Sequence, residues 1–270
     1  MIKWFILFVV FMLPSVVSAS QKEIMVISPH FDDASLPVGG LLAQSKDSKT
    51  VVTVFAEGPE KAKHTLWDTL SGFLSSDTAV KSRKQENANA LAILGATPID
   101  LGFTDGQYRK YQISDDDKSK IKDELVATID QKSKTSSQVD VYFPAYFGTK
   151  ITHKDHKLIH DIVLDIIASK KFGNVNWYMY EDMPYTISYF KRHGDLLAFL
   201  KSHMPNFSVV PKDILLSETD LLLKKQSLDA YPSQRLAFRV LNQPFRSVID
   251  FNRKRCDGKS CERVYEVTNK

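Results

Sequence analysis

Cysteine is scarce: this chain of 270 residues has only two, Cys256 and Cys261. So few thiols exclude a disulfide framework, and no further ligands stand close by to complete a thiolate metal site. Asp257-Gly258 between them favours a tight turn, so a small disulfide staple is expected, worth about 2 kcal/mol at most on loop-entropy grounds. No charge of one sign dominates either. Against 32 Asp and Glu there are 36 Lys and Arg, a mild excess that predicts no nucleic-acid partner. The longest apolar stretch, Trp4 to Leu13, falls short of the ~20 residues a spanning helix needs, so stable membrane insertion is not expected. A Gly-x-Gly-x-x-Gly loop is missing after the first strand pattern, and Asp32-Asp33 there would repel a pyrophosphate, which excludes dinucleotide binding.

The N-terminus does carry a pattern. Lys3, the apolar core, the breaker Pro14 and the small residues Val17-Ser18-Ala19 have the layout of a secretory signal peptide cut after Ala19. The mature chain, from residue 20 to 270, is then expected to be secreted or periplasmic and to form one domain, less regular from about residue 188.

From Lys22 onward short β-branched runs alternate with longer amphipathic stretches, which predicts βαβ units and a mostly parallel sheet. Strands are expected at Glu23 to Ser28, Thr50 to Ala56, Ile99 to Leu101, Val139 to Phe143 and Val175 to Tyr180. Helices are expected near Gly39 to Gln44, at Thr78 to Leu94 with Gly95 as its cap, at Asp115 to Lys132 and at Asp155 to Ser169. Glu57 to Asp77 reads as a long loop with room for a helical turn, and the chain beyond Ser188 as mostly helical, then irregular.

Two constellations carry chemistry. His30-Phe31-Asp32-Asp33 follows the first strand directly, where open α/β sheets place their ligands. Adjacent carboxylates beside an imidazole repel unless a cation neutralises them, and this donor set suits zinc. On its own the motif reads equally well as a helix-capping turn. His153-Lys154-Asp155-His156 follows the strand ending at Phe143-Pro144 and points two further imidazoles at the same edge. Of the remaining histidines, His160, His193 and His203 read as surface or core residues, with His64 left open because of its loop.

These motifs, with Arg83-Lys84-Gln85-Glu86 through Leu94-Gly95, Leu101 to Gly106, Tyr180 to Tyr185 and Lys225 to Gln234, resemble the PIG-L family of zinc-dependent de-N-acetylases. Phe31 and Lys154 stand where the family usually has proline. The resemblance implies a Rossmann-like α/β fold, a mostly parallel sheet flanked by helices, with a metal site at the carboxyl ends of the strands. It implies Zn2+ held by His30, Asp33 and His156, and Asp32 as general base. His153, oriented and charged by Asp155, would stabilise the oxyanion, and Arg83 and Asp105 would meet the sugar. Arg83 reads almost as well as a surface ion pair, and Glu181-Asp182 as crevice wall or helix cap. Where some members carry a tyrosine before the second motif, this chain has Ile151-Thr152, which leaves Tyr146 as the nearest donor.

The expected function is removal of the acetyl group from an N-acetylated sugar or glycan. The rivals are a metal hydrolase of another bond, which would call for more carboxylate ligands and a second ion, and a metal-containing carbohydrate-binding protein, which would have no use for Asp32 as a base. Export is checked by N-terminal sequencing of protein from its native host: the mature chain should begin at Ser20, and a retained Met1 in a membrane fraction would refute cleavage.

Overall fold

The computed structural model describes residues 21–147, 153–240 and 245–270; the signal segment and Ile151-Thr152 lie outside them. The chain opens with β1 (Glu23–Ser28), α1 (Ser35–Gln44) and β2 (Ser48–Thr53), followed by a short α2 (Leu66–Leu70), α3 (Ser76–Leu94) and β3 (Thr97–Asp100). Then come α4 (Asp115–Thr135), β4 (Val139–Pro144), α5 (Lys154–Ser169) and β5 (Val175–Tyr180). The C-terminal part holds α6 (Tyr185–His193), α7 (Leu196–His203), β6 (Phe207–Leu215), α8 (Glu218–Asp229), α9 (Pro232–Val240), α10 (Arg246–Arg255) and β7 (Cys261–Asn269). No described helix is long and apolar enough to cross a membrane.

All seven strands join one sheet in the order β3-β2-β1-β4-β5-β7-β6. The first five run parallel, and β7 is antiparallel to both β5 and β6. Every residue of β1 is buried, as a strand covered on both faces requires. Its side chains alternate between two apolar layers, Met25 and Ile27 packing with α4 and α5, Ile24 and Val26 with α1 and α3. From β1 the chain winds outward to β2 and β3, then crosses to β4 and β5. The reversal opens a crevice between the carboxyl ends of β1 and β4, the usual ligand position in such sheets.

Most expected elements are present, with shifted ends. Strand β3 starts earlier than expected because Pro98 is tolerated on an edge strand, where one side of the ladder is free. Beyond Ser188 the helices appear, but in place of irregular chain stand β6 and β7, which complete the sheet. Pro211 again sits in an edge strand, and the burial of β7 does not alternate cleanly, so neither shows a period-2 signal. Asp115 to Asp117 occupy the first turn of α4 behind the cap Ser114, as the helix dipole favours. Gly95 closes α3 at φ 66°, and Cys256 and Cys261 are joined.

Helix α1 breaks at Val38, directly after Pro37, and so frees backbone N–H groups within the helix. Gly40 and Leu41 donate theirs to the Glu262 carboxylate of β7 at 2.8 and 2.7 Å, and Lys224 of α8 donates to the same group at 2.5 Å. The Lys224 and Glu262 side chains are buried, so each charge depends on the other. Lys224→Met should therefore lose about 3–5 kcal/mol of stability in urea unfolding, and the added change Glu262→Gln should restore part of it.

Candidate metal centre

The loop after β1 is folded by its own polar groups. Ser28 Oγ donates to the His30 carbonyl at 2.6 Å, and the His30 backbone N–H donates to Asp33 Oδ2 at 2.8 Å. This turn brings His30 Nδ1 within 3.0 Å of Asp33 Oδ2. From the other side of the crevice, α5 begins behind its cap His153 and delivers His156 Nε2 to 3.1 Å from His30 Nδ1 and 3.0 Å from Asp33 Oδ2. Three donor atoms thus form a nearly equilateral triangle. Ligand atoms about 2.1 Å from one metal ion stand roughly 3.0–3.4 Å apart, so the triangle suits three ligands of a single ion.

Each imidazole is held from behind by a carboxylate. His156 Nδ1 lies 2.8 Å from both oxygens of Asp182, just past β5, and His30 Nε2 lies 3.2 Å from Asp155 Oδ2. Such pairing fixes which ring nitrogen faces the metal. The electrostatics point the same way. Burial alone would drive the proton off His156, but Asp182 and Asp33 more than offset it and raise its pKa to about 10. Burial likewise opposes the charge on His30, and Asp105, Asp155 and Asp33 overcome it. Both rings are thus pushed to hold protons while their facing nitrogens stand 3.1 Å apart, where at most one proton fits. A metal ion supplies the positive charge without that conflict.

A cavity of about 230 Å³ opens over this triangle. Every site residue expected from the sequence lines it except Asp155, which sits behind His30. The expected pairing of Asp155 with the His153 ring is corrected: its carboxylate is taken by His30, the Gly106 N–H at 3.0 Å and the Arg109 guanidinium. His153 instead caps α5, its Nδ1 accepting from the Asp155 N–H at 3.3 Å. Burial and the neighbouring His30 and His156 hold its pKa well below the usual value, which favours the neutral ring over the charged one expected. Asp32 is buried at the cavity wall, and burial with the adjacent Asp33 pushes its carboxyl up to about 7. Arg83 lines the cavity and is not the surface ion pair of its alternative reading: it is buried and pairs with buried Asp68 at 3.1 Å. Asp105 stands 3.8 Å from His30 Nε2 and accepts from the Gln107 N–H.

Tyr146 is not at the site; its ring packs on His160 and Phe199. The tyrosines that reach the cavity are Tyr111 and Tyr185, with ring centroids 5.0 and 6.5 Å from that of His153. Trp67 and Phe238 form its apolar side, and Gln234 accepts from the Trp67 indole N–H at 3.2 Å. Asp182 carried a readable signal, an acid at the carboxyl end of a buried strand; Arg109 and Tyr111 carried none in local sequence. His64 bonds Thr69 on the surface, and His160 holds the Pro144 carbonyl in the core.

Sheet order and donor triangle define an α/β protein with a candidate metal site at its switch point. The chain belongs to the PIG-L family, described as GlcNAc-PI de-N-acetylase, which matches residues 25–167. Solved structures agree in fold. The zinc-inhibited form of a teicoplanin deacetylase is 23% identical with a TM-score of 0.74, over 92% of this chain and 98% of that one. The A40926 pseudoaglycone deacetylase is 24% identical with a TM-score of 0.73, over 91% and 97%. The N,N'-diacetylchitobiose deacetylase of Pyrococcus horikoshii is 14% identical with a TM-score of 0.58, over 92% and 84%. No curated protein matches by sequence. Asp182→Ala should weaken metal binding about 10- to 100-fold, measured by competition with a chromogenic chelator.

Proposed function

We propose that this protein is an exported, zinc-dependent hydrolase that removes the acetyl group from an N-acetylated sugar. The observation that carries this reading is the buried Asp32 carboxylate standing free of the donor triangle yet beside it, on the wall of a sugar-sized cavity. Family membership supports it, as do the deacetylase activities named for the structures of like fold. Export rests on the Met1 to Ala19 pattern alone, and zinc on the donor chemistry of His30, Asp33 and His156.

An ion held by His30, Asp33 and His156 would supply a Lewis acid for the acetyl carbonyl and would lower the pKa of a water to ~7. Asp32, buried beside the donor triangle without belonging to it, would accept a proton from the attacking water. The new C–O bond leaves acetate once the C–N bond breaks, and Asp32 returns the proton to the departing sugar amine. His153 and Tyr185 both line the cavity and would serve the carbonyl oxygen as uncharged donors. Trp67 and Phe238, in edge-to-face contact at 5.5 Å, offer an apolar wall to the sugar ring.

A base and a ligand differ in their response to substitution. Asp33→Ala should lose both metal and activity. Asp32→Asn should keep about one zinc per chain yet lose roughly 10²- to 10⁴-fold in kcat, or ~3–5 kcal/mol. Metal analysis and acetate release from N-acetylglucosamine oligomers on the same preparations check both. Near-wild-type turnover by Asp32→Asn, or full activity after metal removal, would refute the mechanism.

A further inference from the structure

Helix α9 separates two cavities. Gln234 and Phe238, one turn apart, line the catalytic cavity, whereas Arg235 and Arg239, each one residue further on, line a second cavity of about 450 Å³. Lys225 of α8 and Arg246 and Arg253 of α10 complete its basic wall, over a floor of Leu228, Phe245 and Ile249. Among the described residues, only two carboxylates, Asp229 and Asp250, line it with these five cations. Both are already engaged, Asp229 by Arg235 and Asp250 by Arg246 at 3.6 Å. Arg253 donates to Ser260 Oγ at 3.3 Å. Among the described residues Lys225 and Arg239 have no carboxylate partner.

The whole chain carries a net charge of only +4, so gathering a net of three positive charges around one concavity is a local concentration, not a general basicity. The catalytic cavity offers no comparable group, because its guanidinium, Arg83, is already paired with Asp68. The two cavities lie close together: Phe238 of one and Phe245 of the other touch, with ring centroids 5.3 Å apart. A ligand reaching both must cross a helix about 10 Å thick, so it must be an oligomer.

We propose that the second cavity binds phosphate or carboxylate groups of an anionic glycan whose N-acetylated residue occupies the catalytic cavity. This rests on the sugar-deacetylase reading above and narrows its substrate class. Guanidinium forks pair with either anion in bidentate fashion, and the apolar floor strengthens such pairs by excluding water from one side.

The test measures binding of two labelled oligomers to the full chain, an oligogalacturonate and an oligo(glycerol phosphate), at low and near-physiological salt. A neutral N-acetylglucosamine oligomer and a DNA duplex serve as comparisons. At least one anionic oligomer should bind, more weakly as salt rises, and the one that binds distinguishes uronate from phosphate. Reversing both unpaired cations, Lys225→Glu with Arg239→Glu, should weaken that binding roughly tenfold or more. The thermal midpoint and acetate release from the neutral oligomer should stay at wild-type values, since neither side chain reaches the catalytic cavity. Undiminished affinity in the double variant, failure of both anionic oligomers to bind the wild type, or tighter binding of DNA than of either would overturn the proposal. Binding is read without turnover. Salt-sensitive anion binding with no acetate released from any N-acetylated sugar would therefore refute the deacetylase reading alone.

Discussion

Four buried carboxylates, those of Asp32, Asp33, Asp155 and Asp182, gather around two imidazoles, and the fold is arranged to hold them there. Unneutralised, such a group is costly, because burial favours the uncharged acids while their mutual repulsion raises the cost of ionising each one. Protons alone answer this poorly: they are wanted on both rings, whose facing nitrogens have room for one between them. A divalent cation answers it directly, so metal affinity and local stability are linked at this site. The sheet supplies the rigidity. Adjacent strands β1 and β4 bring the two loops together, and all of β1 and most of β4 are buried, so neither loop can withdraw without disturbing the core.

The donor triangle and the residues that shape the cavity come from different parts of the chain. The family match ends at residue 167, and the donor triangle lies wholly within it. Tyr185, Gln234 and Phe238 lie beyond it, on α6 and α9. The C-terminal part is tied to the rest through β7 in the sheet and through Glu262, which receives the free N–H groups of the broken helix α1. Helix α1 follows directly after the metal loop. This buried clamp, together with the Tyr231 hydroxyl that donates to the Phe31 carbonyl at 2.9 Å, links the segment that sets cavity shape to the one that positions His30 and Asp33.

What could be read from the sequence follows from how local each signal is. β1 and β5 were legible to the residue, because buried parallel strands are continuous apolar runs. The clustering of His30, Asp33 and His156 was legible because like charges packed beside imidazoles demand an explanation at a strand's end. Edge strands β3 and β6 blurred the reading, since each contains a proline that weakens the local pattern and is tolerated only because of position in the sheet. Partners across space were the least visible. Nothing near Asp155 announces that its carboxylate turns to His30, more than a hundred residues earlier, and not to His153 two residues before it.

That crossed pairing shapes the centre. Asp155 sits next to one ligand, His156, yet braces the other, while His156 is braced from β5 by Asp182. The ends of three neighbouring strands, β1, β4 and β5, are thereby locked through two imidazoles. Arg109 extends the brace, for it holds Asp155 from the loop after β3 and donates Nε to the Thr104 carbonyl at 3.0 Å. With each ring fixed by a group from a different strand end, displacing any one loop would move a ligand and a brace together. Asp32 has no such brace from another side chain among the described hydrogen bonds. It is fixed by backbone and burial alone, which leaves its carboxylate free to exchange a proton while its neighbours hold still.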